Sequence, residues 1–282
     1  MTQNTSSAVM QQRAEPHDSF DFFPTPPWAT RALCEKIRDH YSPDIGRLTA
    51  WDPACGEHDM VTPLREYFAE VFASDIAPYS GGHEVSDFLF QRERRADWIV
   101  TNPPFRLAER FITHALSFAD IGVAMLVRTS FLEGAARYDG SGPKGDGVGL
   151  FRPNPPADIF QFVERVPMLK GRLERDASTA TSYCWLVWRA RSTALSTNFH
   201  WIPPCRKRLE READYRAQPP TAEPDFSNCF ARQAHEKPQM LIYRHLARND
   251  GGLCPSWPSA RRSSRAGSRP DGAGEGSLGG DR

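Results

Sequence analysis

Short apolar runs alternate with amphipathic segments between residue 20 and about residue 130. The apolar runs predict strands at residues 48–51, 71–74, 98–101 and 123–127. Between them, apolar positions repeat with helical spacing at residues 30–38, 64–68 and 107–118. Regular alternation of strand and helix favours βαβ units, in which consecutive strands run parallel. The pattern therefore predicts an α/β protein built around a parallel sheet.

The alternation breaks after residue 132. Residues 133–156 are rich in Gly and Pro, which predicts a long mobile loop instead of a helix or strand. Two further β-like runs follow at residues 159–166 and 182–188. Because they come after the parallel strands without an intervening helix, we expect them to form an antiparallel edge on the sheet.

Both ends of the chain lack the composition of a packed core. Residues 1–18 are polar and aperiodic, so we expect a disordered leader before a folded domain at residues 19–210. Residues 211–282 contain only a weak helical pattern at 240–246, followed by a run rich in Gly, Ser, Arg and Pro. We expect that extension to be largely disordered.

Composition narrows the function classes. Thirty-five Lys and Arg residues balance 35 Asp and Glu residues, so any charge that binds nucleic acid must be local. The six cysteines form no CxxC pair and no Cys/His cluster has the sequence spacing of zinc ligands, so we expect no metal site. The polar N-terminus and the lack of a run of about 20 apolar residues predict a cytoplasmic protein without a membrane partner.

The first candidate site is the turn after the first predicted strand, formed by Asp52, Pro53, Ala54, Cys55 and Gly56. Small residues there let backbone amides approach a ligand closely, and a following helix N-terminus favours anionic or polar groups. An ordinary strand-to-helix turn is the alternative interpretation.

Two acids downstream support a nucleoside ligand. Asp75 ends the second predicted strand about 20 residues after the turn, where βαβ nucleotide-binding folds place an acid on the ribose hydroxyls. Asp87 is positioned to accept a hydrogen bond from an adenine amine, with Phe88 packed on the ring. A helix cap or turn residue is the alternative for Asp87.

The most informative segment is Asn102-Pro103-Pro104-Phe105, which follows the apolar strand at 98–101. Ligands bind at the carboxyl ends of strands in open α/β sheets. The Asn102 side-chain carbonyl and the Pro103 backbone carbonyl can accept hydrogen bonds from an aromatic amine, directing its lone pair towards an electrophile. Phe105 can stack on a base taken out of a duplex. A plain turn after a strand is the alternative.

Together these motifs resemble the amino-group-specific DNA methyltransferases, and most closely the prophage and phage-type adenine methyltransferases, over residues 20–209. The resemblance implies a Rossmann-like class I sheet with helices on both faces. It also implies S-adenosylmethionine as cofactor, a flipped adenine in DNA as substrate, and Asn102 to Phe105 as the catalytic tetrapeptide.

The same resemblance implies which residues contact the cofactor. It implies that the turn from Asp52 to Gly56 is the cofactor loop, that Asp75 and Ile76 face the ribose, and that Asp87 and Phe88 hold the adenine of the cofactor. Thr25 and Pro26, in the segment Phe23 to Trp28, resemble the part that faces the methionine end. Because that segment precedes the cofactor loop, the motif order resembles the gamma class. The alternative for the segment is a Pro-rich start of a helix capped by Thr25 or Thr30.

One position departs from the family pattern, since Glu57 and His58 stand where another glycine usually follows. If that position needs positive φ, the His58 side chain is expected to crowd the cofactor. We otherwise interpret His58 as a surface or turn histidine, because methylation of a neutral amine needs no strong base.

Two features suggest contacts to DNA. The stretch 152–208 has more cations than anions, which predicts a face for phosphates, with a solvated surface as the alternative. Tyr183 or Trp185 is expected to line the base pocket, with core packing as the alternative. The loop at 133–156 is the candidate for site recognition.

Two other functions fit the sequence. The same tetrapeptide serves RNA-base and protein-glutamine methyltransferases, so the substrate class remains open. His58 and the extension after residue 210 also fit a non-catalytic remnant that binds S-adenosylmethionine or DNA.

Overall fold

A computed structural model describes residues 21–79, 81–192 and 196–215. Its strands are β1 (Thr49–Asp52), β2 (Glu70–Asp75), β3 (Glu84–Val85), β4 (Ala96–Thr101), β5 (Ala119–Arg128), β6 (Asp158–Phe162), β7 (Tyr183–Arg189) and β8 (Asn198–Ile202). Its α-helices are α1 (Pro27–His40), α2 (Val61–Leu64), α3 (Ala108–Phe118), α4 (Ala135–Asp139) and α5 (Arg206–Leu209).

The eight strands form one sheet in the order β3-β2-β1-β4-β5-β7-β6-β8. Strands β1 to β5 run parallel to one another, whereas β7 is antiparallel to both β5 and β6. The predicted antiparallel pair is therefore confirmed, but it is not the sheet edge. Strand β8, which was not predicted, pairs in parallel with β6 and lies outermost.

Helices cover both faces of the sheet. Because side chains alternate along a strand, Trp98 and Val100 of β4 point into one apolar cluster with α1, whereas Ile99 points into the other. Ile112 of α3 packs in that second cluster. The strand order, with its antiparallel β7, and the two covered faces confirm the predicted Rossmann-like α/β fold with helices on both faces of the sheet.

Helix α1 begins earlier than the sequence predicted. Pro27 occupies its first turn, where the missing N–H costs nothing, and Pro26 is the residue before it. No side chain caps this end, so the interpretation of Thr25 or Thr30 as the N-cap is wrong. The paired prolines set the start of the helix, which leaves the Thr25 hydroxyl for other contacts.

The sequence predicts a long loop without secondary structure at residues 133–156, but the structure contains a short helix there. Helix α4 lies between Gly134 and Gly140, whose φ angles of 115° and 76° suit glycine at helix ends. After a turn the chain folds back on this helix, and Leu150 N donates to Arg137 O at 2.7 Å. Leu150 is buried in the second apolar cluster. Because Gly and Pro residues are frequent in this segment, its composition did not predict the short helix.

Residues beyond 210, the predicted end of the domain, still contact the folded part of the chain. Arg31 of α1 is almost fully buried and binds both Glu66 and Asp214, at 2.9 and 2.7 Å. Asp214 belongs to a 3₁₀ turn at Glu212–Tyr215. The predicted leader, the helical pattern at 240–246 and the tail lie outside the described residues. Among the residues that are described, no helix is long and apolar enough to cross a membrane.

Candidate functional site

The candidate site lies where the strand order reverses. Strand β1 pairs with β2 on one side and β4 on the other, so the loops after β1 and β4 leave the sheet side by side. Asp52 ends β1 and Asn102 directly follows β4. Such a switch point is where open α/β sheets bind ligands. The structure thus brings the first predicted loop and the tetrapeptide to one crevice.

The Asn102 amide is held in one orientation. Its Nδ2 donates to the Phe23 backbone oxygen at 2.9 Å and to Thr25 Oγ1 at 3.0 Å, and it lies 3.6 Å from Met168 Sδ. A backbone carbonyl only accepts hydrogen bonds, so the NH₂ group must face Phe23. The side-chain oxygen, Oδ1, is buried and has no hydrogen-bond partner among the described residues. The site therefore holds an acceptor that lacks a donor.

Residues 21–25 lie directly on the tetrapeptide. Asp21 Oδ2 accepts a hydrogen bond from Phe105 N at 2.7 Å. The rings of Phe23 and Phe105 pack with their centroids 5.2 Å apart. Thr25 is buried, so the predicted N-terminal site segment and the tetrapeptide form one unit. Pro26, the other residue predicted there, precedes α1.

Phe105 carries the aromatic surface of the site. The Arg128 guanidinium lies over its ring at 4.2 Å from the centroid, and the Tyr183 ring lies 6.4 Å away. Trp185 instead donates through Nε1 to the Ala29 backbone oxygen at 3.2 Å and is fully buried. Of the two aromatic candidates, Tyr183 is the neighbour of the tetrapeptide and Trp185 belongs to the core.

The prolines between Asn102 and Phe105 shape the turn. Pro103 is buried, and the Pro104 backbone oxygen accepts a hydrogen bond from Leu107 N at 2.8 Å. That bond closes a short 3₁₀ turn at Phe105–Leu107. Fixed φ angles at both prolines give the chain one path from β4 into α3.

The loop after β1 contains a close approach of backbone and ring. Gly56 has φ +48°, and a Cβ placed on it would lie 2.5 Å from Cε2 of Phe22. Only glycine fits this position, because its φ is positive and the Phe22 ring occupies the place of a Cβ. In this structure the aromatic ring of Phe22 covers it. Phe22 also packs on Tyr79, with centroids 4.9 Å apart.

Asp52 is completely buried at the base of this loop. Burial raises its pKa to about 7, and the nearby Asp75 carboxylate adds to the rise. The Asp52 Oδ1 atom accepts a hydrogen bond from Ala54 N at 3.3 Å. Pro53, between them, is also buried. The loop therefore keeps a carboxyl group with a high pKa beside the crevice.

Asp75 organises two backbone turns. Its Oδ2 accepts from Gly56 N at 2.9 Å and its Oδ1 accepts from Ala77 N at 3.0 Å. Burial raises its pKa, and these amide donors oppose the rise. Ile76 follows, partly exposed. The predicted ribose acid thus lies against the loop after β1, with each oxygen already accepting one hydrogen bond.

Asp87 and Phe88 have structural contacts of their own. Asp87 Oδ1 accepts from Leu89 N at 2.9 Å and caps the 3₁₀ turn Phe88–Phe90, which is the alternative that the sequence left open. Phe88 packs between Trp51 and Phe111 and is 2% exposed. Its ring therefore belongs to the core and does not face the crevice.

His58 has φ +72°. The position therefore adopts the left-handed conformation, as expected if a glycine usually occupies it in the family pattern. The His58 ring faces the next loop, where Nε2 lies 3.2 Å from Nδ1 of His83. Burial lowers the His58 pKa, and His83 adds to that effect. Cys55, buried in the same loop, completes a group of three potential metal ligands.

Sequence reasoning missed this group because His83 is 25 residues from His58. The spacing Cys55-x-x-His58 was the available signal. The sequence shows no Cys/His cluster with zinc-ligand spacing, whereas the fold brings these three side chains within 4.8 Å of one another.

Several cations of the stretch 152–208 are paired. Arg206 binds Glu210 at 2.9 Å, and Arg208 binds Glu35 at 2.5 Å. Arg172 also pairs, with Glu174. These contacts neutralise part of the predicted phosphate-binding face, which remains a prediction.

The sequence matches no protein-family model and no curated protein sequence. Similar solved structures include a modification subunit assigned to a type I restriction enzyme of Vibrio vulnificus YJ016. It is 16% identical over 82% of this chain and 56% of that chain, with a TM-score of 0.44. A type I restriction-modification methyltransferase subunit from Streptococcus thermophilus is 10% identical over 70% of this chain and 52% of that chain, with a TM-score of 0.45.

A third similar structure is magnesium protoporphyrin IX methyltransferase from Synechocystis PCC 6803 with bound S-adenosylmethionine. It is 14% identical over 59% of this chain and 79% of that chain, with a TM-score of 0.36. The chain thus spans about half the length of the two restriction-modification subunits. Similarity of this degree concerns the fold alone and does not extend to the substrate.

Proposed function

We propose that this chain transfers a methyl group from S-adenosylmethionine to the exocyclic amine of adenine in DNA. The observation that carries the proposal is the Asn102 side chain. Its NH₂ group donates to Phe23 and Thr25, and its buried oxygen accepts no hydrogen bond from any residue that the structure describes. A buried acceptor without a partner costs about 1–3 kcal/mol. The amine of a bound base is a donor that would satisfy it.

The proposed role of Asn102 is to orient the amine. The lone pair of an aromatic amine is delocalised into the ring and is a weak nucleophile. Asn102 Oδ1 and the Pro103 backbone oxygen would accept hydrogen bonds from the N–H groups of the amine. These bonds would direct its lone pair towards the methyl donor. Since proline fixes the backbone, these acceptors need little reorganisation on binding.

The residues that would hold the cofactor surround the same crevice. Gly56 allows a close approach to the loop backbone, and Asp75 lies beside it with two carboxylate oxygens that have further lone pairs. When bound, S-adenosylmethionine supplies a methyl group on a positively charged sulfur. Phe22, which covers Gly56, would have to move aside for close contact with the loop.

Phe105 and its neighbours support a planar substrate. The ring has aromatic neighbours in Phe23 and Tyr183 and a guanidinium from Arg128. Bases stack on aromatic rings and on guanidinium planes. Enzymes that modify a base in a duplex must first extrude it, so such surfaces are needed beside the acceptor. The preference for adenine rests on the resemblance of a tetrapeptide that begins with Asn.

The test is transfer of labelled methyl groups from S-adenosylmethionine to DNA, RNA and protein offered separately. We expect label in DNA only, recovered as N6-methyladenine after digestion to nucleosides. Asn102→Ala should reduce transfer by about 100-fold or more while calorimetric affinity for S-adenosylmethionine stays within a few-fold. If label is found only in RNA or only on protein glutamine, the proposed DNA substrate is wrong.

A catalytically inactive remnant is the outcome to distinguish from these. It predicts no transfer to any of the three substrates. If calorimetry also finds no binding of S-adenosylmethionine to a folded protein, the proposal of an active methyltransferase is wrong.

A further inference from the structure

The loops after β1 and β2 bring a thiol and two imidazoles together. The Sγ of Cys55 and ring nitrogens of His58 and His83 all lie within 4.8 Å of one another. Cys55 is buried, and the two histidines are partly exposed. One thiol and two imidazoles form a borderline-soft ligand set of the kind that zinc prefers. The partial exposure of the rings gives an ion a route to the buried sulfur.

We propose that Cys55, His58 and His83 form a binding site for a divalent zinc-type cation, with a fourth position left for water or another ligand. The proposal goes beyond methyl transfer and does not depend on it. It assigns the three side chains as metal ligands.

The histidine contact has the geometry of two ligands. His58 Nε2 and His83 Nδ1 are 3.2 Å apart. Two imidazole nitrogens on a tetrahedral zinc, each at about 2.05 Å, lie about 3.3 Å apart. The separation of the two nitrogens therefore already matches that of two ligands on one ion. In such a site the sulfur of Cys55 should lie about 3.6 Å from each nitrogen. Because it lies within 4.8 Å of both nitrogens, each of these distances has to shorten by about 1.2 Å or less.

A second contact orients His83. Its Nε2 lies 2.8 Å from the Ala77 backbone oxygen. Because a carbonyl oxygen only accepts, Nε2 must carry the proton, and in the neutral ring the lone pair is then on Nδ1. Nδ1 is the atom that faces His58. Metal-binding histidines commonly donate their other N–H to a backbone carbonyl in this way, which fixes the ring and its tautomer.

The turn itself places the other two ligands. His58 N donates to the Cys55 backbone oxygen at 2.9 Å, which closes a tight turn between the two residues. The His58 ring packs on Gly81, where an added Cβ would lie 2.5 Å from Nε2. That contact leaves no room for a side chain at residue 81. The left-handed conformation at His58 thus serves to aim the ring at the neighbouring loop.

Metal binding would require loss of one proton. A cysteine thiol is protonated at neutral pH, because its ordinary pKa is about 8.5. When the sulfur–metal bond forms, the thiol proton leaves to solvent and the cation supplies the charge that stabilises the thiolate. Binding would connect the loop after β1 to the loop after β2.

The test uses the full chain after dialysis against a chelator. Titration with Co²⁺, which replaces Zn²⁺ and absorbs light, should produce a thiolate-to-cobalt charge-transfer band that saturates at a single equivalent. Zn²⁺ should bleach that band by competition. Calorimetry with Zn²⁺ in buffers of different ionisation enthalpy should show proton release on binding.

Variants separate this site from other thiols. Cys55→Ser should remove the thiolate band, and His83→Gln should weaken Zn²⁺ binding by about 10-fold or more. The matched controls are Cys205→Ser and the double variant Cys229→Ser/Cys254→Ser, which should keep the band. Circular dichroism melting in chelator checks that each variant folds.

Wild-type protein alone can overturn the proposal. A folded wild-type chain that gives no thiolate band with Co²⁺ would contradict it, whatever the variants do. An unchanged band in folded Cys55→Ser would also contradict it. Neither result would bear on methyl transfer, which is measured separately by label in DNA.

Discussion

The Asn102 side chain donates a hydrogen bond to the hydroxyl of Thr25, 77 residues earlier in the chain, at 3.0 Å. A second donation, to the Phe23 backbone oxygen, fixes the same amide from the same segment. The N-terminal segment and the tetrapeptide are therefore one structural unit. The orientation of the unsatisfied Asn102 oxygen depends on residues that precede the fold's first helix.

This contact predicts a role for the Thr25 hydroxyl. Thr25→Val keeps the volume and removes the acceptor, so the Asn102 amide loses one of its two oxygen partners. A net hydrogen bond is worth about 1 kcal/mol, so we expect kcat for DNA methylation to fall by about 5- to 10-fold. Thr25→Ser, which keeps the hydroxyl, should retain most activity. Equal losses in both variants would show that the hydroxyl is not what matters.

The close contact of Gly56 with Phe22 predicts a steric penalty that can be isolated. Gly56 and Gly82 both have positive φ, at +48° and +69°, so alanine at either costs about 1 kcal/mol for the backbone. An added Cβ meets the Phe22 ring at Gly56, whereas at Gly82 no atom of the described part of the chain lies within 4 Å of it. In urea unfolding, Gly56→Ala should therefore be clearly less stable than Gly82→Ala. If Gly56→Ala and Gly82→Ala lose the same stability, the Phe22 ring does not pack on Gly56 in solution.

His58 predicts an inversion of the usual preference for alanine over glycine. Both His58→Gly and His58→Ala remove the ring, but only glycine adopts φ +72° without strain. We expect His58→Gly to be more stable than His58→Ala by about 1 kcal/mol in chelator-treated protein. Urea midpoints at equal m-value would measure this. A more stable alanine variant would mean that residue 58 leaves the left-handed region.

Asp52 predicts a pH dependence of stability. Its ordinary pKa is near 3.8, and burial raises the folded value to about 7. Between these values the folded chain holds a proton that the unfolded chain has lost, so this group favours folding less as pH rises. Asp52→Asn removes the titration. Relative to wild type, the variant should gain stability from pH 5 to pH 8, on the order of 3 kcal/mol.

The measurement is urea unfolding of both proteins at pH 5 and pH 8 without cofactor. The difference between variant and wild type cancels other titrating groups that the two share. A difference that does not change between the two pH values would contradict a raised Asp52 pKa.

Local patterns predicted most of the framework. Strands β1, β2 and β4 could be predicted because each is an apolar run that ends at an acid or at Asn102. The ends of parallel strands share one edge, so the crevice followed from the same reasoning. Such inferences need only neighbouring residues and a general rule of sheet topology.

Contacts between distant residues could not be predicted in the same way. His83 meets His58 only because β1 and β2 pair side by side and place the loops that follow them together. Asp21 meets Phe105 although the two are 84 residues apart in the sequence. A helix cap at Thr25 or Thr30 was the alternative interpretation of the N-terminal segment, because Ser and Thr favour that position, but Pro26 and Pro27 set the helix start instead. Phe88 was expected at a ligand, whereas packing against Trp51 and Phe111 buries it.

If Asn102 orients an adenine amine in DNA for methylation, DNA in a cell that contains the chain should carry the modified base. Sequencing that detects modified bases, applied to the DNA of a host that expresses the chain, measures this. We predict N6-methyladenine at a defined sequence with the wild-type chain and none with Asn102→Ala expressed at the same level. Folded wild-type protein that leaves host DNA without N6-methyladenine, or Asn102→Ala that methylates normally, would contradict the account.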